Sequence, residues 1–163
     1  MEVIATSLIA VLGTLLGSSL TYLFQRRTAE RAERFTRAER LRQERIDAYC
    51  SYGGALANFR RGQLDHWFAT HDGNAVDEEA ARELRREAQR LRALALEAQF
   101  RVELLTLSNE LSDLARQALR AVDRFPDAHS REDLEPVWEA ARSLMHAFIA
   151  ASRHHVPDVS AVR

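Results

Sequence analysis

VIATSLIAVLGTLLGSSLTYLF, residues 3–24, runs for twenty-two positions without a charged side chain, between Glu2 on one side and Arg26-Arg27 on the other. As a helix rising about 1.5 Å per residue it would extend roughly 33 Å, enough to cross a hydrocarbon core of about 30 Å. The expected fate of this stretch is a single-pass transmembrane helix, with residues 1–25 as the anchor. A cleaved signal peptide would instead need a basic start, an apolar core of about 7 to 15 residues and a small-residue cleavage site. Here Met1-Glu2 precede the core, the core is too long, and Tyr22, Leu23, Phe24, Gln25 and two arginines follow it.

Orientation follows from the flanks. Between Arg26 and Asp47 there are eight arginines (26, 27, 31, 34, 37, 40, 42, 45) against five acids, whereas the other flank offers the amino terminus and Glu2. Basic residues close to a span stay on the inner side, so the N-terminus is expected outside and the rest of the chain in the cytoplasm of a bacterial inner (plasma) membrane. Arg26, Arg27, Arg31 and Arg34 form the membrane-proximal basic set. They could attract anionic head groups, or they could be an ordinary solvated face laced by Glu30 with Arg34 and Glu33 with Arg37. The interleaved acids favour the second reading.

The span has a face of its own. At 100° per residue Thr6, Ala10, Gly13, Gly17 and Thr21 fall within about 80° of one another, and Gly13 to Gly17 is a GxxxG pair. Small residues let a second helix approach closely, so this face is the candidate oligomer interface in the membrane.

The chain beyond the anchor is expected to form one all-α domain. Removing residues 1–25 from 163 leaves 138, enough to bury a core. The balance of 23 basic and 24 acidic residues gives no reason to expect a nucleic-acid partner. Every basic residue is arginine, which resembles the codon bias of a GC-rich genome, and the single cysteine, Cys50, excludes an intramolecular disulfide. No proline occurs before Pro126, and residues 26–70 are rich in Ala, Glu and Arg, so a first helix is expected to continue straight out of the span. Its apolar stripe would include Phe35, Ile46, Tyr49, Leu64, Trp67 and Phe68 with Gly53 and Ala57, and within it Phe35, Ile46, Ala57 and Phe68 are each eleven apart, close to a straight helix's own period.

The cluster THDGNAV, residues 70–76, reads as a turn, after which Asp77 caps a second helix expected over 77–125. Leu84, Leu91, Ala98, Leu105 and Leu119 recur at sevens, broken by Ser112, as a coiled-coil-like seam, with Leu94, Leu104 and Leu107 widening the apolar surface. Asn109, seven after Val102, is a candidate register-setting polar residue in that seam. A turn over FPDAHSREDL, residues 125–134, leads to a third helix over 134–153 with Asp133 as its cap, and 154–163 read as a flexible tail. The lengths would bring the Pro126 turn back towards the membrane, completing an elongated antiparallel three-helix bundle over 26–153.

Chemistry is mostly absent from the pattern. Six histidines carry no HExxH or Glu-x-x-His spacing, and there is no phosphate loop, GxSxG or CxxC. No catalytic, cofactor-binding or metal residue is expected, and no enzyme. GTLLGSSLTYLFQRRTAERAER, residues 13–34, resembles the start of small, uncharacterised actinobacterial membrane proteins with one N-terminal span and a helical cytoplasmic region. That resemblance implies a bacterial inner-membrane location and no activity.

The leading expectation is a non-enzymatic membrane-anchored scaffold or adaptor. It would self-associate as a homo-oligomer in the lipid bilayer and present a cytoplasmic helical surface to a protein partner. Two alternatives differ in class. In one, oligomerised spans lined by Ser7, Thr14, Ser18 or Ser19 form a pore, as in a defence or toxin component; in the other, the scattered histidines hold a metal or support catalysis.

Overall fold

In the computed structural model the backbone is described for Glu2–His71 and Asp77–Val156, and side chains for residues 21, 22, 24–71 and 77–156. The described residues form four α-helices and no strand: α1 (Glu2–His71), α2 (Glu78–Leu105), α3 (Asn109–Asp123) and α4 (Arg131–His154), with a 3₁₀ turn at Phe125–Asp127. The all-α class expected from the sequence holds. Two units divide the chain, one reaching to Leu41 and the other spanning Arg42–Ala161.

The second unit is built from the C-terminal part of α1 and the three later helices, and its cross-contacts order them. Arg45 donates through Nε to the Leu105 carbonyl at 2.9 Å, while a methyl on Gly62 would meet Ala88 and Leu91, so α2 runs antiparallel to α1. Tyr52 donates its hydroxyl to the Ala115 carbonyl at 2.6 Å, and Trp67 its indole N–H to the Ala128 carbonyl at 2.8 Å. Contacts that advance together in this way make α3 parallel to α1. Phe148 lies edge-on to Tyr52 at 4.9 Å and Arg131 sits over Phe68 at 5.6 Å, so α4 returns antiparallel. The result is an up-down-up-down four-helix bundle.

This corrects the three-helix expectation. The single helix over 77–125 is broken at Thr106–Ser108. Ser108 competes for the backbone there, its hydroxyl accepting from the Leu111 N–H at 3.2 Å and so starting a new helix, a role serine favours over a helix interior. The chain therefore reverses near Arg45. Pro126 lies in the turn whose Ala128 meets Trp67, at the C-terminal end of α1, and not back along the path that an unbroken α2 would have taken. α4 likewise starts earlier than the expected residue 134. Ser130, rather than Asp133, is its N-cap, accepting from the Asp133 N–H at 3.1 Å. Asp77 caps α2 as expected, accepting from the Ala80 N–H at 2.8 Å.

The core explains the pairing of faces. On α1 the buried row is Ala48, Tyr49, Tyr52, Leu56, Phe59 and Trp67, at the three- and four-residue spacing of one helix face. It packs on Ala95 and Val102 of α2, Leu111, Ala115, Leu119 and Val122 of α3, and Leu134, Ala141 and Phe148 of α4. The eleven-residue row is not this face, since Phe35, Ala57 and Phe68 are exposed. On α2 the seam shifts by one row. Ala88, Ala95 and Val102 are buried, Leu84, Leu91, Ala98 and Leu105 are half-buried, and Leu94, Leu104 and Leu107 are exposed. Small residues at the buried positions let the helices approach closely.

Candidate functional site

The described side chains offer two concavities within the second unit, neither of them legible from spacing. The first has a volume of about 290 Å³ and lies between the end of α1 and the start of α4, lined by Leu64, Phe68, Arg131, Leu134, Glu135 and Trp138. Each of its aromatic rings carries a guanidinium: Arg131 stands 5.6 Å from the centroid of Phe68, and Arg60 stands 5.9 Å from that of Trp138. Such cation–π contacts contribute about 0.5–1 kcal/mol at exposed sites. The Trp138 indole N–H is buried without a hydrogen-bond partner. The second concavity, about 560 Å³, follows the α1–α2 groove past Cys50, Ser51, Gly54, Asn58, Leu94 and Arg101. It is floored by small residues, and a methyl on Gly54 would meet nothing within 4 Å.

The electrostatics are those of a solvated helical surface. Arg26 pairs with Glu30 at 3.1 Å and Arg37 pairs with Glu33, all with largely exposed side chains. Glu30 thus pairs backwards along the helix, rather than forwards to Arg34. Pairs of this kind contribute about 0.3–0.5 kcal/mol each. Arg27, Arg31 and Arg34 are exposed beside them. Across helices, Arg92 holds Asp123 through Nε at 2.6 Å and a second guanidinium nitrogen at 3.1 Å, joining α2 to α3. The fork geometry raises the Arg92 pKa, the hydrogen bonds to Asp123 being the main cause. Burial pushes the Tyr52 hydroxyl well above its ordinary value, so it stays a donor to Ala115.

Among the described residues no group of three or more His, Cys, Asp or Glu side chains could hold a metal ion. His66 and His71 share the end of α1, where His71 stacks on Trp67 at 4.6 Å. Burial, then Arg85, then His71 lower the His66 pKa. Cys50 is a free, exposed thiol.

Of the sequence-derived sites, Thr21 is exposed, while the side chains of Thr6, Ala10, Gly13 and Gly17 lie outside the described residues, as do those of Ser7, Thr14, Ser18 and Ser19. Among the described residues no helix is long and apolar enough to cross a membrane; the side chains of the apolar stretch up to Leu20 are outside that description. Asn109 does not occupy a buried seam. The break at 106–108 places it, exposed, at the first position of α3, and the buried polar residues nearby are Thr106 and Ser112. Spacing missed the cation-capped aromatics because they join residues some seventy positions apart.

A four-helix bundle with apolar clefts and solvated charge defines an all-α helical-bundle domain. A family model matches within its bounds: the KilB plasmid transfer protein family covers residues 46–156. The chain belongs to that family. No curated protein and no solved structure matches it significantly. The resemblance of residues 13–34 to actinobacterial single-span proteins lies outside the matched range and gains no support from it.

Proposed function

We propose that this chain is a non-enzymatic scaffold of plasmid transfer, held in the inner membrane by residues 3–24 with its N-terminus outside. Its four-helix unit faces the cytoplasm and presents helical surface to a protein partner, and the chain self-associates. One observation carries the reading: the family match over residues 46–156 falls entirely within the unit Arg42–Ala161, so the bundle is the part tied to plasmid transfer. The uncharged stretch 3–24 and the arginines after it support the membrane placement. Of the two clefts, the one framed by Phe68 and Trp138 suits a partner's apolar side chain, because its walls are largely apolar.

The test is plasmid transfer frequency between cells. Loss of the chain should lower it, re-expression should restore it, and a version lacking residues 2–25 should fail to restore it while remaining helical. Unchanged transfer without the chain would remove the proposed role. Full rescue by the truncated version would leave the scaffold role and remove the anchor from it.

A further inference from the structure

We propose that the C-terminal half of α2 is a self-complementary surface whose occupant is the same stretch of a second copy of this chain, running antiparallel across a two-fold axis. The inference rests on the self-association part of the function above and adds a surface, a partner and a direction to it. At 100° per residue Leu94, Glu97, Arg101 and Leu104 fall within about 80° of one another, at the alternating three- and four-residue steps of a coiled-coil stripe. All four are exposed, Leu94 at 44 % and Leu104 at 85 %. Phe100, 53 % exposed, borders the stripe on one side. Along the other side runs the α1–α2 groove of about 560 Å³, which Leu94, Glu97, Ala98 and Arg101 help to line.

The two charges of the stripe are left open while those around them are used. Arg90 pairs with Glu87 at 2.6 Å, Arg92 with Asp123 at 2.6 Å, and Glu103 with Arg116 at 3.8 Å. Glu97 and Arg101 stand four apart, a spacing at which a helix can pair them, yet neither side chain has an ion pair or hydrogen bond among the described residues.

The order of residues along the stripe selects the partner and its direction. Residue 99 is the midpoint both of Leu94 and Leu104 and of Glu97 and Arg101. Two copies laid antiparallel about that point set Leu94 against Leu104 of the second copy, and Glu97 against its Arg101. Each contact occurs twice, as an isologous two-fold interface requires. The leucines are covered at the two ends, and the open charges meet their opposites between them. Phe100, one residue from the axis, meets its own counterpart. Parallel copies in register would instead set Glu97 on Glu97 and Arg101 on Arg101, so charge excludes that direction.

Disulfide trapping of the full-length chain, in detergent-free lysates of expressing cells, tests this. In a Cys50→Ser background, Leu94→Cys and Leu104→Cys chains carrying different tags should give several-fold more oxidised dimer when produced together than either gives alone. Each position meets the other across the axis and lies about 15 Å along the helix from its own counterpart. Phe100→Cys should trap with itself. Glu97→Arg in both chains should lower the mixed trapping several-fold, and adding Arg101→Glu should restore it, because the exchanged charges again face their opposites. Trapping of Leu94→Cys or Leu104→Cys with itself as readily as with the other, or a charge exchange that fails to restore it, overturns the pairing. If trapping fails while the untrapped chain, extracted in mild detergent, keeps the mass of a dimer or larger, the α2 pairing falls and self-association stands; a monomeric mass removes both.

Discussion

Gly54 and Gly62 both sit on α1, but a methyl group would meet different surroundings at each. At Gly54 nothing lies within 4 Å, whereas at Gly62 the added carbon would stand 2.6 Å from the Leu91 Cδ1. Alanine in a helix interior is favoured over glycine by about 0.8–1.0 kcal/mol. Gly54→Ala should therefore raise stability by up to about 1 kcal/mol in denaturant unfolding. Gly62→Ala should gain less or lose stability, because Leu91 has to move. His66 gives a pH signature. Its folded pKa is lowered from the ordinary 6.5, first by burial and then by Arg85 and His71, so the folded state resists protonation more than the unfolded chain does. The His66 contribution is complete above about pH 6.5 and is lost as the pH falls through the folded value. The melting temperature of His66→Gln should accordingly fall less on acidification than that of the parent chain. Neither effect could be read from spacing, since Leu91 and Arg85 reach α1 only through the pairing of helices.

At the scale of the element, the break between α2 and α3 decides the topology. Helix propensity and heptad spacing run through Thr106–Ser108 with no glycine or proline to stop them, which is why the sequence reads as one long helix. What stops it is side-chain competition: Ser108 caps α3, and Arg45 takes the Leu105 carbonyl at the end of α2. Ser108→Ala should cost about 0.5–2 kcal/mol, the usual loss of a cap, measured as a drop in unfolding midpoint. Leu107→Ser, one residue away, should leave the midpoint within about 0.5 kcal/mol, because that side chain is 96 % exposed and packs on nothing. A large loss at Leu107 would mean that its exposed face is covered after all.

For the whole molecule, the charge asymmetry after residue 24 argues for one topology. A reporter fused after Arg163 should be active only in the cytoplasm, and activity on the outer side of the inner membrane would reverse the orientation. The chain divides into two compact units. One reaches to Leu41 and carries the apolar stretch; the other, Arg42–Ala161, holds the core and coincides with the family match. The amino-acid sequence alone determined the all-α class and the Asp77 cap, because these follow from propensity and nearest neighbours along the chain. Tertiary structure alone decided that the described residues form four helices, that Tyr52, Leu56 and Phe59 join Tyr49 and Trp67 in the row that α1 buries, and that Phe68, Arg131 and Trp138 meet in one cleft. The physical reason is that a helix with apolar residues on several faces can bury any of them. The choice among those faces belongs to the neighbours it packs against, and they are set by where the chain turns back.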